Sequence, residues 1–286
     1  MSSTAQVSTL SILFMCFTLL VCFGGPVALI IWAKVKYKKA FSFVPLVLGA
    51  VAFVLFQIVI RISILLPYLQ SAAWFQGIVT QPWLYAAFLC LTAGLFEEPA
   101  RFLVYSVMRK PRQYVNGLSY GIGHGGIEAM LIVGITFINN LVFSLAINSG
   151  SWGAITAMVP PEYMGQYEAV RQALVSASPD TWLIGGVERM STLAIQIAFS
   201  LIVMRGFITG RKWLYLGIAT LVHALVNFVA VGMQILKVNM WLIEAAVFVM
   251  AVLAVWYIVR QARDWRRSLA ANEGALNGPE GQANTP

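Results

Sequence analysis

The sequence predicts an all-α fold, a polytopic transmembrane helical bundle of about seven spans with the N-terminus outside and the C-terminus inside. Three observations carry that expectation. Of 286 residues, 59% are hydrophobic and 10% charged, whereas roughly a quarter of a soluble domain is charged. The apolar residues fall into runs of about 20 or more, the length that crosses a bilayer as helix. The basic residues gather in every second connection, as the positive-inside rule requires of cytoplasmic loops. A net charge of +8 would raise nucleic acid as a partner in a soluble chain. Here short loops hold most of that charge, so no nucleic acid is expected, and the chain belongs in the cell membrane as a multi-pass protein in contact with lipid.

The spans follow in order. Leu10 to Ala33 is the first, with a bend expected at Gly24-Gly25-Pro26, and it stops at Lys34, Lys36, Lys38 and Lys39. No basic stretch precedes it, so it reads as a retained span and not a signal peptide. Phe41 to Ile60 is the second and ends near Arg61. After an uncharged connection, Leu84 to Val107 is the third, closed by Arg109, Lys110 and Arg112. Leu118 to Ile147 is the fourth. The long connection after it contains Pro160-Pro161-Glu162, a helix-starting signal for a short amphipathic helix to about Ser176. Leu183 to Met204 is the fifth, followed by Arg205, Arg211 and Lys212. Trp213 to Met233 is the sixth, and Met240 to Val259 the seventh, followed by Arg260, Arg263, Arg266 and Arg267. The opposite connections hold only Arg171 and Lys237. Residues 1–267 thus form one transmembrane domain, and 268–286, rich in Gly, Asn, Glu and Pro, read as a disordered cytoplasmic tail. Trp83, Trp182, Trp213 and Trp241 fall at the expected boundaries, where amphipathic aromatics collect. Cys16, Cys22 and Cys90 lie inside apolar runs without metal or disulfide spacing and read as small buried hydrophobes.

Polar residues inside these spans carry the functional signal, because ionised groups at that depth persist only when paired, neutralised or used. The third span holds Glu97, Glu98 and Arg101, with Pro99 expected to kink or open the turn behind it. Glu98 and Arg101, three apart, share a helix face and offset each other. Both histidines of the chain are also within spans. His124 and Glu128 are four apart on the fourth, and His223 and Asn227 four apart on the sixth, so each pair shares a face. Counted from the basic ends, Glu98 and His223 lie about ten residues in and His124 about six, roughly 10–15 Å deep. Acid, imidazole and amide groups from three helices therefore meet at similar depth, and Gly117, Gly121, Gly125 and Gly126 allow another helix to approach beside His124. Three chemistries fit this set. Glu97 or Glu98 activates water, with the histidines and Asn227 holding the developing oxyanion. Alternatively the imidazoles His124 and His223 with a carboxylate such as Glu128 bind zinc. A proton-coupled transporter would use the same acids as a relay. Glu188 lies nearer the outer face, at the depth expected of Arg61, and the two are read as a structural pair.

Taken together, Glu97-Glu98-x-x-Arg101, His124-Gly-Gly-x-Glu128 and His223-x-x-x-Asn227 resemble the YhfC family of intramembrane proteases. That family is itself distantly similar to the CAAX prenyl endopeptidases and bacteriocin-processing enzymes. The resemblance covers most of the chain. It implies intramembrane peptide-bond hydrolysis on a peptide or membrane-protein substrate. Glu97 would activate water, Glu98 would orient it or hydrogen-bond, and His124, His223 and Asn227 would complete the water site, with Arg101 and Glu128 in support. In the wider group the arginine stands one residue later than Arg101, and the second motif normally ends at its histidine, so Glu128 is an addition. The motifs permit zinc without requiring it, and the expectation from sequence is a metal-independent glutamic site with no cofactor, zinc being the alternative.

Overall fold

A computed structural model describes residues 6–277 of the chain. Its helices are α1 (Thr9–Ala40), α2 (Phe43–Gln70), α3 (Pro82–Val107), α4 (Tyr114–Asn148), α5 (Pro179–Ile208), α6 (Lys212–Ile235) and α7 (Met240–Asn277). All but α3 are individually long and apolar enough to cross a membrane, and α3 makes a seventh span when joined to the short helix Ala73–Val79, from which it bends by 109°. The result is an all-α polytopic membrane bundle with six, or up to seven, long apolar helices. The connection between α4 and α5 contains the expected helix, Met164–Ser176, entered through a single tight turn at Pro161–Tyr163.

Local chemistry starts these helices where the sequence allows. The Ser8 hydroxyl accepts from the Ser11 amide at the head of α1, and Ser42 caps α2 in the same way. Pro82 and Pro179 occupy the first turns of α3 and α5, where a missing N–H costs nothing. Pro99 does not open the helix as expected: α3 is continuous from Pro82 to Val107. One lost hydrogen bond is a small defect in a 26-residue helix with neighbours packed on it. The last helix likewise runs past Ser268 to Asn277, where disorder was expected. Ala, Leu and Glu there favour helix, and extending an existing helix avoids the cost of nucleation. The rest of the expected tail, 278–286, lies outside the described residues.

Helix α5 is the axis of the bundle. It packs against α1, α3, α4, α6 and α7, and 67% of its most apolar stretch is buried, compared with 28% or less for α1, α2, α4, α6 and α7. Those other helices turn Leu, Val, Ile and Phe outward instead of polar side chains, as a lipid-facing surface requires. The first half of α4, Tyr114 to Gly126, is buried on all sides. Two glycines make that possible. A Cβ on Gly125 would lie 2.9 Å from Leu193 and 3.0 Å from Gln196 of α5, and one on Gly123 would lie 1.9 Å from the Leu46 carbonyl oxygen of α2. Small residues at these crossings bring the backbones close enough for polar side chains to meet. Trp83, Trp213 and Trp241 are exposed at helix ends, whereas Trp182 is buried against Phe137. Its backbone carbonyl accepts from the Thr18 hydroxyl of α1, which draws that turn of α5 into the bundle. Cys22 and Cys90 are buried as expected, while Cys16 faces outward.

Candidate metal centre

The third, fourth, fifth and sixth helices bring their polar side chains to one buried point. Glu97 Oε2 of α3 is its hub: His124 Nε2 of α4 lies 2.9 Å away, Gln196 Nε2 of α5 3.2 Å, Arg101 Nη2 3.6 Å and His223 Nε2 of α6 4.0 Å. Glu98, fully buried beside it, accepts from Arg101 and faces His223 Nδ1 at 2.7 Å. Arg101 reaches past Glu98 to the amide oxygen of Gln196. One turn beyond His124, Glu128 accepts from Gln196 at 2.6 Å and lies 3.4 Å from Arg189. Each carboxylate is therefore neutralised by a cation or an N–H donor, the condition under which charges persist at this depth. Aromatic rings hold the imidazoles: Phe199 stacks on His223 with centroids 4.7 Å apart, and Phe53 and Tyr120 flank His124.

Glu97, His124 and Glu128 offer ligand atoms that all lie within 4.8 Å of one another. One imidazole nitrogen and two carboxylate oxygens at such separations can surround a single ion with metal–ligand distances of about 2.0–2.2 Å, and three protein ligands leave a position open for chemistry. Gln196, Arg101 and Arg189 hold the acids from behind, as outer partners do around metal ligands. The donor set fits a metal ion. This overturns the expectation of a site without a cofactor: sequence spacing placed Glu97 beside Glu98 as a water-activating pair, but the fold separates the two roles. Glu97 turns to His124 and Glu128, and Glu98 turns to Arg101 and His223.

The structure brings together every expected residue of the central set. Asn227 lines a cavity of about 110 Å³ that it shares with Glu128, Gln196, His223, Arg189 and Glu188. Arg61 and Glu188 do not pair. Arg61 donates to Thr92 at 3.1 Å and to the Leu89 carbonyl at 2.6 Å, tying α2 to α3. Glu188 accepts instead from Arg189, its neighbour in the chain. Sequence reasoning missed Gln196, which touches both Glu97 and Glu128. Its signal was available: Gln196 lies seven residues after Arg189, two turns along one face of a helix otherwise apolar at that depth.

The buried cluster in a membrane bundle, together with the family it matches, defines the general class of an intramembrane, protease-like hydrolase. The chain matches the family described as YhfC intramembrane metalloprotease over residues 17–249, and it belongs to that family. It is also 32% identical over 261 residues to the uncharacterized membrane protein YhfC of Bacillus subtilis (strain 168), covering 90% of this chain and 99% of that protein. No solved structure matches the chain.

Proposed function

We propose that the protein is a zinc-dependent intramembrane metalloprotease that cleaves a peptide bond in a membrane protein or membrane-bound peptide. The observation that carries this reading is the buried Glu97–His124–Glu128 donor set at the centre of the bundle. The family assignment favours hydrolysis over the proton-relay reading of the same acids. Glu97, His124 and Glu128 would hold the ion. Zinc supplies Lewis acidity at such a site and makes water nucleophilic near neutral pH.

The remaining residues divide the work by geometry. Glu98, held ionised by Arg101, is an acceptor, so the contact to His223 Nδ1 assigns the proton to that nitrogen. Nε2 of His223 lies 4.0 Å from Glu97 Oε2 and on the wall of the cavity, and in the neutral ring it carries the lone pair. His223 then acts as general base toward the attacking water and returns the proton to the departing amine. Asn227, on the same wall one turn later, donates its amide N–H to the oxyanion that forms at the scissile carbonyl. Gln196 and Arg101 hold Glu97 in place.

The test uses purified full-length protein reconstituted with a membrane-spanning peptide. Elemental analysis should find about one zinc per chain. Chelation should abolish cleavage, and added zinc should restore it. Undiminished cleavage by protein shown to be stripped of metal would overturn the proposal.

A further inference from the structure

Away from the candidate metal centre, a second cavity of about 490 Å³ lies between α1, α4, α5 and α7. Its volume lies in the range of ligand pockets, about 300–1,000 Å³. Trp32, Ile122, Leu193, Ile197, Ile258 and Val259 are among its walls, and no charged side chain lines it. Further along the same two helices Tyr37 of α1 meets Trp265 of α7, ring centroids 5.8 Å apart. Val259 also borders a groove of about 440 Å³ along α7 that carries Trp256, Arg260, Arg263 and Arg267. Asp264 also lines the groove, but it is engaged by Arg205 at 3.2 Å. Among the described residues, no acid forms an ion pair with Arg260, Arg263 or Arg267. Lys36, whose ammonium sits 4.5 Å from the centroid of the Trp32 ring, adds a cation on the opposite wall.

An apolar slot at membrane depth that shares Val259 with a face carrying three arginines has the two halves of one ligand class. We propose that this is a binding site for an anionic phospholipid, with an acyl chain in the slot and the phosphate on Arg260, Arg263 and Arg267. The positive-inside rule accounts for arginines at this end but not for the apolar slot beside them, and a free anion would leave the slot unused. The site also has a route to the bundle's axis. Leu193 and Ile197 of α5 line the slot, while Gln196 on the same turn holds Glu97 and Glu128. A seated chain therefore braces the helix on which the metal centre depends. The binding claim is independent of the proposed protease activity.

The experiment measures thermal unfolding of the delipidated full-length protein in detergent. Phosphatidylglycerol and phosphatidylcholine with the same acyl chains are titrated separately. Phosphatidylglycerol should stabilise at concentrations about tenfold to a hundredfold lower, as several adjacent cations predict at low ionic strength. The combined variant Arg260→Gln, Arg263→Gln, Arg267→Gln should lose that preference, and Arg266→Gln, outside the groove, should keep it. Glycerol phosphate, which has the anion but no chain, should not stabilise. Equal response to both lipids, a preference that survives in the triple variant, or stabilisation by glycerol phosphate would each overturn the proposal. The three arginines are exposed, so the variant is expected to fold, and intact-protein mass spectrometry of retained lipid gives a second readout.

Discussion

Gln196 is the residue on which the charges of the centre converge. Its amide nitrogen lies between Glu97 and Glu128, and its amide oxygen takes Arg101. Gln196→Leu keeps the volume and strips all three contacts, so zinc affinity should fall about 10–100-fold, as loss of outer-shell partners does; competition with a chromophoric chelator measures it. Ligand and base are separable in the same assay. Glu97→Gln should lose both zinc and cleavage while still inserting, because a neutral amide is a poor ligand. His223→Gln should keep zinc and lower kcat by about 10²–10⁴, with the acid limb of the pH–rate profile removed. Loss of zinc from the His223 variant would move that imidazole into the ligand set and leave the base unassigned.

At the scale of elements, the centre exists because α4 is thin where it crosses its neighbours. Gly125 lets Gln196 approach from α5, and Gly123 lets the backbone of α2 lie against α4 one turn before Glu128. Gly123→Ala places a methyl group against a backbone carbonyl, which cannot rotate away as a side chain would. The variant should lose about 1–3 kcal/mol or more of stability by overpacking, read as a lowered midpoint of thermal unfolding in detergent. Gly77→Ala is the matched control, since a Cβ there meets nothing within 4 Å. Equal behaviour of the two variants would show that α2 and α4 can slide apart without cost.

For the whole molecule, the basic ends of α1, α3, α5 and α7 fall at alternate connections, which supports an N-terminus outside and a C-terminus inside. We propose that orientation, and with it a centre in the cytoplasmic half of the bilayer. A reporter fused after Arg267 should read as cytoplasmic. An extracytoplasmic signal would reverse the topology, move the centre to the other half, and place the arginine groove on the outer surface.

The membrane class, the approximate number of spans and the polar set were legible in the sequence because they rest on local properties. Run length sets a span, and a residue's number along that span sets its depth. Glu97, Glu98, Arg101, His124, Glu128, His223 and Asn227 could therefore be assigned to one level before any packing was known. How those groups partner between helices is a matter of which way each helix turns about its axis, and spacing along the chain does not determine that. The crossings at Gly123 and Gly125 turn α4 and α5 so that Glu97 faces His124 and Glu128, while Glu98, about 100° further round the same helix and paired with Arg101 by spacing alone, faces His223. Glu188 took its neighbour Arg189, and Arg61 took a carbonyl and a hydroxyl of α3, for the same reason. The sequence by itself determined which acids and histidines were present and at what depth. Only the tertiary structure decided that Glu97 is the one to meet His124 and Glu128, because helix rotation is settled by close packing between elements distant in the chain.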